Sequence, residues 1–167
     1  MRDQGLLLSV RIKGFEPRTF KQKQRTLRKE ETRDILKAEI EKFRSLEIVR
    51  DNCKDKKLFL FVHFYLWAGS TQTNRIEKDL DNLLKILFDS LSEYIDNTKN
   101  IPGLGIITND KNIFRIHASK EIVDTKSDEG FKIEISELQS YSKKHQEQLD
   151  EILKQVQELR AMLNKHQ

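Results

Sequence analysis

The sequence predicts a single α/β (α+β) domain, in which helices flank a sheet, followed by a C-terminal helix. Segments with strand-like alternation are interleaved with segments of helical period, as expected for such a domain. The length of 167 residues suits one domain with an appendage. The tail contains neither Pro nor Gly and has helical periodicity. We therefore assign residues 1–137 to the domain and residues 138–167 to the C-terminal helix.

The first half of the domain is predicted to contain two strands and one helix. Residues 5–14 (GLLLSVRIKG) form the first strand. Apolar residues at helical spacing indicate an amphipathic helix over about 27–46. The run 57–68 (KLFLFVHFYLWA) is apolar on both alternating faces. That pattern is typical of a strand near the centre of a sheet that is covered on both sides.

The second half is predicted to begin with a helix over about 81–95, which has the clearest apolar stripe in the chain. A turn-rich segment, 96–103, follows it. Three short strands are then predicted over 105–108, 113–123 and 130–137. The last two alternate apolar and polar residues, which indicates a sheet with one wetter face.

The tail is predicted to form a coiled coil. Its apolar residues alternate steps of three and four, as a and d positions do. These residues are Leu149, Ile152, Val156, Leu159 and Leu163. We interpret the stripe as the seam of a dimer. The alternative, a stripe that packs on the chain's own domain, remains open because only about two heptads are strongly apolar.

Composition favours a polyanionic partner without establishing one. The chain has 31 Lys and Arg against 27 Asp and Glu, a net charge of +4 and a pI near 9.1. The single cysteine, Cys53, cannot form an intrachain disulfide, which indicates a reducing intracellular compartment and a spare thiol in a polar loop. The apolar run 58–68 is too short to cross a bilayer, and the N-terminus lacks a signal-peptide pattern. We expect a soluble, cytoplasmic protein without a membrane partner.

Two aspartates at the start of the second predicted helix carry the strongest chemical signal. Asp79 and Asp81 stand two residues apart, and Lys85 follows one turn later. Carboxylates at this spacing can share Mg²⁺, which prefers oxygen ligands and takes one or two carboxylates from a protein. Helix capping by an aspartate explains the same residues, as does pairing of Lys85 with Asp81 and Asp89 across helix turns. On spacing alone both interpretations stay open.

A third carboxylate strengthens the metal interpretation. Asp110 lies at the end of a short predicted strand, where catalytic groups are often presented. Three carboxylates that converge on a phosphodiester can hold one or two metal ions, which activate a water and stabilise the leaving oxygen. A nearby lysine can neutralise charge that develops on the phosphoryl group.

Two segments resemble the RusA family of Holliday-junction resolvases. The run DLDNLLKILFDSL, followed by NDKNIFRIHASK, is similar to that family's D-x-D-N-L-x-K helix and its acidic pair before a strand that ends in lysine. Asp79 and Asp81 match the motif aspartates, and Lys85 matches the motif lysine. Asp110 matches the acidic residue taken as catalytic. Asp89 and Lys120 also match recurring positions.

The resemblance implies a RusA-like domain with a mixed sheet flanked by helices. It implies a homodimeric, Mg²⁺-dependent endonuclease in DNA recombination and repair, with Mn²⁺ able to substitute. Asp79, Asp81 and Asp110 would bind the metal, and Lys85 would act with them in catalysis. Each subunit would nick one strand of a four-way junction, since twofold symmetry places the two sites on opposite arms. Such a protein would be associated with the nucleoid when it acts.

The chain departs from the family pattern in four places. Asn109 stands where the first member of the acidic pair is expected, which keeps a metal-competent oxygen but removes a charge. The segment 96–103 is an insertion beside the expected site. A basic run over 18–29 replaces the family's Pro- and Asn-rich loop, and the heptad tail is an addition.

Basic residues are candidates for phosphate contacts, which would make affinity fall steeply with salt. The predicted DNA-binding residues are Arg18, Lys21, Lys23, Arg25, Arg28, Arg115 and Lys120. Lys29 completes the basic run. A solvated helix start is the alternative for the run, but six basic residues without an acid favour phosphate contact. An exposed sheet face is the alternative for Arg115. Two other functions also stay open: a non-catalytic DNA-binding or assembly protein that uses the coiled-coil tail, and a nuclease that acts on flaps or forks.

Overall fold

The computed structural model describes residues 5–17, 25–69, 79–96 and 98–138, and in the tail only positions 151 and 154. The described part contains three helices and six strands. In chain order they are β1 (Leu6–Lys13), α1 (Arg25–Glu41), α2 (Leu46–Cys53), β2 (Leu58–Trp67), α3 (Leu80–Leu91), β3 (Tyr94–Asp96), β4 (Ile101–Pro102), β5 (Ile113–Val123) and β6 (Gly130–Glu137). The predicted α/β (α+β) class is confirmed.

Four of the strands form a mixed sheet in the order β1-β6-β2-β5. Strand β6 is antiparallel to both of its neighbours, β1 and β2. Strands β2 and β5 are parallel, so the chain must cross from one end of the sheet to the other between them. That crossover contains α3 and the two-stranded β3–β4 hairpin, and it therefore includes all of the predicted catalytic residues.

The hydrophobic core lies between one face of the sheet and the three helices. In β2, alternate residues from Leu58 to Leu66 are buried, and they share one cluster with Leu36 of α1, Val49 of α2 and Leu87 of α3. Cys53 belongs to this cluster at the end of α2, so its predicted place in a polar loop is wrong. Burial raises the pKa of its thiol to about 11.

The other face of the sheet carries no helix in the described part of the chain, so the expected covering of β2 on both sides is not seen among the described residues. Its residues on that face are half-buried. Side chains of neighbouring strands contact the aromatic rings on this face. The guanidinium of Arg11 lies 3.5 Å from the ring centroid of Tyr65, and the rings of Phe61 and His117 are stacked at 5.1 Å.

Several element boundaries differ from the predicted ones. The predicted helix over 27–46 ends at Glu41, and α2 begins after Ser45, whose hydroxyl accepts a hydrogen bond from the Ile48 amide. The segment 105–108 is not a strand and makes only an isolated bridge between Ile107 and Ser92. The predicted turn-rich segment contributes to the β3–β4 hairpin.

The coiled-coil prediction and three of the predicted DNA-binding residues lie outside the described residues. These positions are Arg18, Lys21 and Lys23, and the heptad residues Leu149 to Leu163. Among the helices that are described, none is long and apolar enough to span a membrane.

Candidate functional site

The N-terminus of α3 presents the two motif aspartates to solvent. Asp79 is the N-cap residue, but its side chain makes no capping hydrogen bond. Its carboxylate is instead 3.4 Å from the side-chain amide of Asn82, a long contact. Capping therefore does not account for this carboxylate. Asp81 lies in the first turn and is exposed.

Helix α3 separates its apolar and charged residues onto adjoining strips. Leu83, Leu87 and Leu91 are buried against the sheet. Asp81 and Lys85 are one turn apart on the neighbouring strip and are exposed. Because the apolar strip is held by the core, the orientation of the charged strip is determined as well.

The segment 103–107 runs back along the end of α3 and leads the chain to Asp110. Its amides donate five hydrogen bonds to carbonyl groups at the end of α3 and just beyond it. These are Gly103 to Glu93 at 2.9 Å, Leu104 to Ser90 at 2.9 Å, Gly105 to Ser92 at 2.8 Å, Ile106 to Leu91 at 2.9 Å and Ile107 to Leu91 at 3.0 Å. Carbonyls that would otherwise lack partners at the helix end are thereby satisfied. The helix ends at Leu91, earlier than predicted, and the segment is fixed beside it.

Asn109 and Asp110 start a single 3₁₀ turn over Asp110–Asn112. The side-chain oxygen of Asn109 accepts a hydrogen bond of 2.9 Å from the amide of Lys111, so it caps that turn. Asp110 follows with an exposed side chain. Asn109 thus has a local structural role at the position where the family pattern has an acid.

A cavity of about 780 Å³ brings these elements together. The lining residues are Asp81, Leu84, Lys85, Phe88, Asp89, Ser92, Glu93, Tyr94, Ile107, Thr108, Asp110, Ile113 and Ile116. Three of the four predicted catalytic residues, Asp81, Lys85 and Asp110, therefore face one space. Asp79 is exposed at the start of the same helix but does not line the cavity.

The charges in the cavity are only partly compensated. Asp89 pairs with Lys29 of α1 at 2.5 Å. The alternative in which Lys85 pairs with Asp81 and Asp89 across helix turns is not seen among the described residues. Asp81, Lys85 and Asp110 make no ion pair or side-chain hydrogen bond with any residue that the structure describes. Charged groups without internal partners are available to a ligand.

The predicted metal site depends on the oxygen donors that the cavity supplies. In the described residues, no group of three His, Cys, Asp or Glu side chains is arranged to hold a metal ion. Asp81 and Asp110 nevertheless supply carboxylate oxygens to one cavity. Mg²⁺ commonly takes one or two carboxylates and completes its octahedron with water and substrate phosphate oxygens. Asp81 and Asp110 therefore match Mg²⁺ in donor type, without forming a complete ligand set among the described residues.

The described members of the basic run have different surroundings. Lys29 is buried at 8 % exposure, so its assignment to a surface run is wrong. It pairs with Asp89 and donates a 3.3 Å hydrogen bond to the carbonyl of Ile95. Arg28 pairs with Glu31 at 2.5 Å. Arg25 begins α1.

The two predicted DNA-binding residues of β5 lie on different faces of the sheet. Arg115 is on the face that carries no helix, 5.8 Å from the ring centroid of Phe59. Lys120 is on the same face as Ile116, which lines the cavity. Lys120 is four positions along the strand from Ile116, a distance of about 13 Å. Of the two basic residues, Lys120 therefore lies on the face of the sheet that borders the cavity.

The apolar residues that line the cavity could not be grouped from local sequence patterns. Among them, Tyr94, Ile107 and Ile116 come from three separate segments. Local periodicity assigns Ile107 and Ile116 to strands and leaves Tyr94 at a predicted helix end. A tyrosine in the last turn of a predicted helix does not by itself indicate a pocket.

Comparisons with known proteins give no match. No protein-family model matches the chain, and neither a curated protein nor a solved structure does. Function is therefore inferred from the geometry of the site and from the motif spacing.

Proposed function

We propose that the protein is a Mg²⁺-dependent endonuclease that resolves four-way DNA junctions by paired nicks. The observation that carries the proposal is the convergence of Asp81, Lys85 and Asp110 on one cavity, without described internal partners. The spacing of these residues resembles that of the RusA resolvases, which suggests the branched substrate and the homodimer.

The balance of charge supports a cation in the site. Among the described residues that line the cavity, Asp81, Glu93 and Asp110 are accompanied by one lysine without a described ion-pair partner, Lys85. A phosphodiester carries a negative charge and would be repelled by this excess of carboxylates. A divalent cation between the carboxylates and the phosphate would remove the repulsion, and the basic composition of the whole chain would still attract DNA.

The side chains would then divide the chemistry. Asp81 and Asp110 would hold Mg²⁺, and Asp79, which does not line the cavity, would stay outside the direct ligand set. When bound, the ion supplies an activated water and stabilises the leaving oxygen of the phosphodiester. Lys85 donates a hydrogen bond to a non-bridging phosphate oxygen and neutralises the charge that develops there.

A single substitution tests the proposal. Asp81→Asn keeps the size of the side chain but weakens its binding to a hard cation. We expect nicking of a synthetic four-way junction to fall at least about a hundredfold, with junction binding retained. Asp51→Asn, which alters an exposed aspartate of α2, is the matched control and should cut normally. Cleavage at the normal rate by Asp81→Asn would refute the site.

Metal and substrate dependence separate the alternatives. We expect EDTA to stop nicking, and Mg²⁺ or Mn²⁺ to restore it. Junctions should be cut faster than flaps, forks or linear duplex. If flaps or forks are cut faster, the protein is still a nuclease, but its preferred substrate is not the four-way junction. Junction binding without any turnover would indicate a non-catalytic DNA-binding or assembly protein.

A further inference from the structure

The cavity is lined by charged and by apolar side chains, which we call its charged wall and its apolar wall. Asp81, Lys85 and Asp110 belong to the first. The second consists of Leu84, Phe88, Tyr94, Ile107, Ile113 and Ile116. Tyr94 and Ile116 keep 43 % and 45 % of their surface exposed, which is high for side chains that border so much apolar surface. The hydrophobic effect favours covering this wall with an apolar group of a ligand.

Tyr94 is held in place by several contacts of the β3–β4 hairpin. The hydroxyl of Ser92 is 2.7 Å from the carbonyl oxygen of Tyr94. From α1, Lys29 donates to the Ile95 carbonyl at 3.3 Å, and Arg33 donates to the Pro102 carbonyl at 2.9 Å. The hairpin is therefore anchored at both strands, and the backbone that carries the Tyr94 ring is preorganised.

We propose that the apolar wall binds one unpaired nucleobase next to the scissile phosphate, stacked on the ring of Tyr94. The inference rests on the proposed function, because the charged wall would hold the phosphate of the same nucleotide. A cavity of about 780 Å³ is within the usual range of small-ligand sites, about 300–1,000 Å³. A nucleotide has the required pairing of an apolar, planar group with an adjacent anion.

This subsite would make the enzyme selective for branched DNA. A base must leave its stack to enter the cavity, and unstacking is easiest where bases are already unpaired or strained, as at a branch point. Stacking on an aromatic ring tolerates any base, because every base has a π-face. The subsite would therefore select DNA structure more than base sequence.

The test is a coupling measurement on the full-length protein, made in the Asp81→Asn background so that cleavage does not interfere. Binding of a synthetic four-way junction is measured for Tyr94→Leu, which removes the ring, and for Tyr94→Phe, which keeps it. Each variant is also tested with junctions in which one abasic residue is scanned through the nucleotides at the branch point. Phe43→Leu is the control, since Phe43 is 82 % exposed and does not line the cavity.

We expect Tyr94→Leu to weaken junction binding about tenfold, with Tyr94→Phe and Phe43→Leu close to the parent. One abasic position should weaken binding by the parent to a similar extent but have no further effect on Tyr94→Leu, since ring and base act as a pair. Additive losses at every position, or equal losses for Leu and Phe, would overturn the inference. Thermal unfolding identifies a variant that lost affinity because it misfolded.

Failure of the inference can be distinguished from failure of the nuclease proposal. If the wild-type chain cleaves junctions but ring–base coupling is absent, the base subsite alone is refuted. If ring–base coupling is found but no metal ion supports cleavage, the base subsite is retained and the nuclease proposal is refuted. Absence of junction binding would overturn both.

Discussion

The role of an individual charge in this protein depends on its tertiary surroundings. Lys29 belongs to a run of basic residues that resembles a DNA-binding surface, but it is buried and paired with Asp89. Lys85 has a similar charge and no described partner. One lysine therefore stabilises the fold beside the site, and the other is free to bind a ligand.

Removal of the Lys29 charge should destabilise the fold. Lys29→Met leaves the carboxylate of Asp89, whose side chain is 32 % exposed, without its partner. We expect a loss of about 2 kcal/mol in the free energy of unfolding, below the value for a fully buried pair because water reaches Asp89. Urea denaturation measures this quantity.

The control for this change is Lys37→Met. Lys37 is exposed and 4.0 Å from Glu41, so its loss should alter stability by about 0.5 kcal/mol or less. The double variant Lys29→Met, Asp89→Leu should recover part of the lost stability, because no unpaired charge remains. Equal effects of the two single lysine changes would contradict the assigned pair.

At the scale of elements, the site depends on the contact between α3 and the segment 103–107. Helix α3 was predictable because its apolar period is strong and its charged residues follow at one-turn intervals. The returning segment was predicted as a strand, because short apolar runs do not reveal which partner their amides will find. Its amides bond to the end of α3, and this pairing brings Asp110 to the cavity of Asp81.

Gly103 is the residue on which this contact depends most directly. A Cβ at this position would be 2.2 Å from the carbonyl oxygen of Ser92, so Gly103→Ala must displace the segment from α3. We expect unfolding free energy to fall by about 2 kcal/mol, and the proposed nicking rate to fall because Asp110 moves. Denaturation and a junction-nicking assay measure the two effects.

Gly14→Ala provides the control for Gly103→Ala. Gly14 has a φ of +67° with nothing within 4 Å of an added Cβ. The substitution should therefore cost only backbone strain, about 1 kcal/mol, and leave nicking unchanged. If Gly103→Ala is as stable and active as Gly14→Ala, the contact does not position the site.

At the scale of the whole molecule, the proposed activity requires a dimer. A resolvase that makes paired nicks needs two copies of the site, and the heptad stripe of the tail is our proposed seam. Its prediction comes from local periodicity, and its contacts lie outside the described residues.

Leu159→Asp tests the proposed seam. A carboxylate at a d position would face its symmetry mate. We therefore expect the dissociation constant of the dimer to rise about tenfold or more. Sedimentation velocity over a concentration series measures this change. Gln157→Asp, off the apolar stripe, is the control. A Leu159→Asp dimer as tight as the control would assign the interface to another surface.

The sequence by itself determined the fold class, most of the sheet strands, α3 and the spacing of Asp79, Asp81 and Lys85. These features are local, because strand alternation, helical period and one-turn spacing depend only on residues close together in the sequence. The tertiary structure decided which face of the sheet is covered, that Lys29 is buried, and that Asp110 and Tyr94 share a cavity with Asp81. Those features depend on hydrogen bonds and burial between segments far apart in the chain, which local periodicity does not encode.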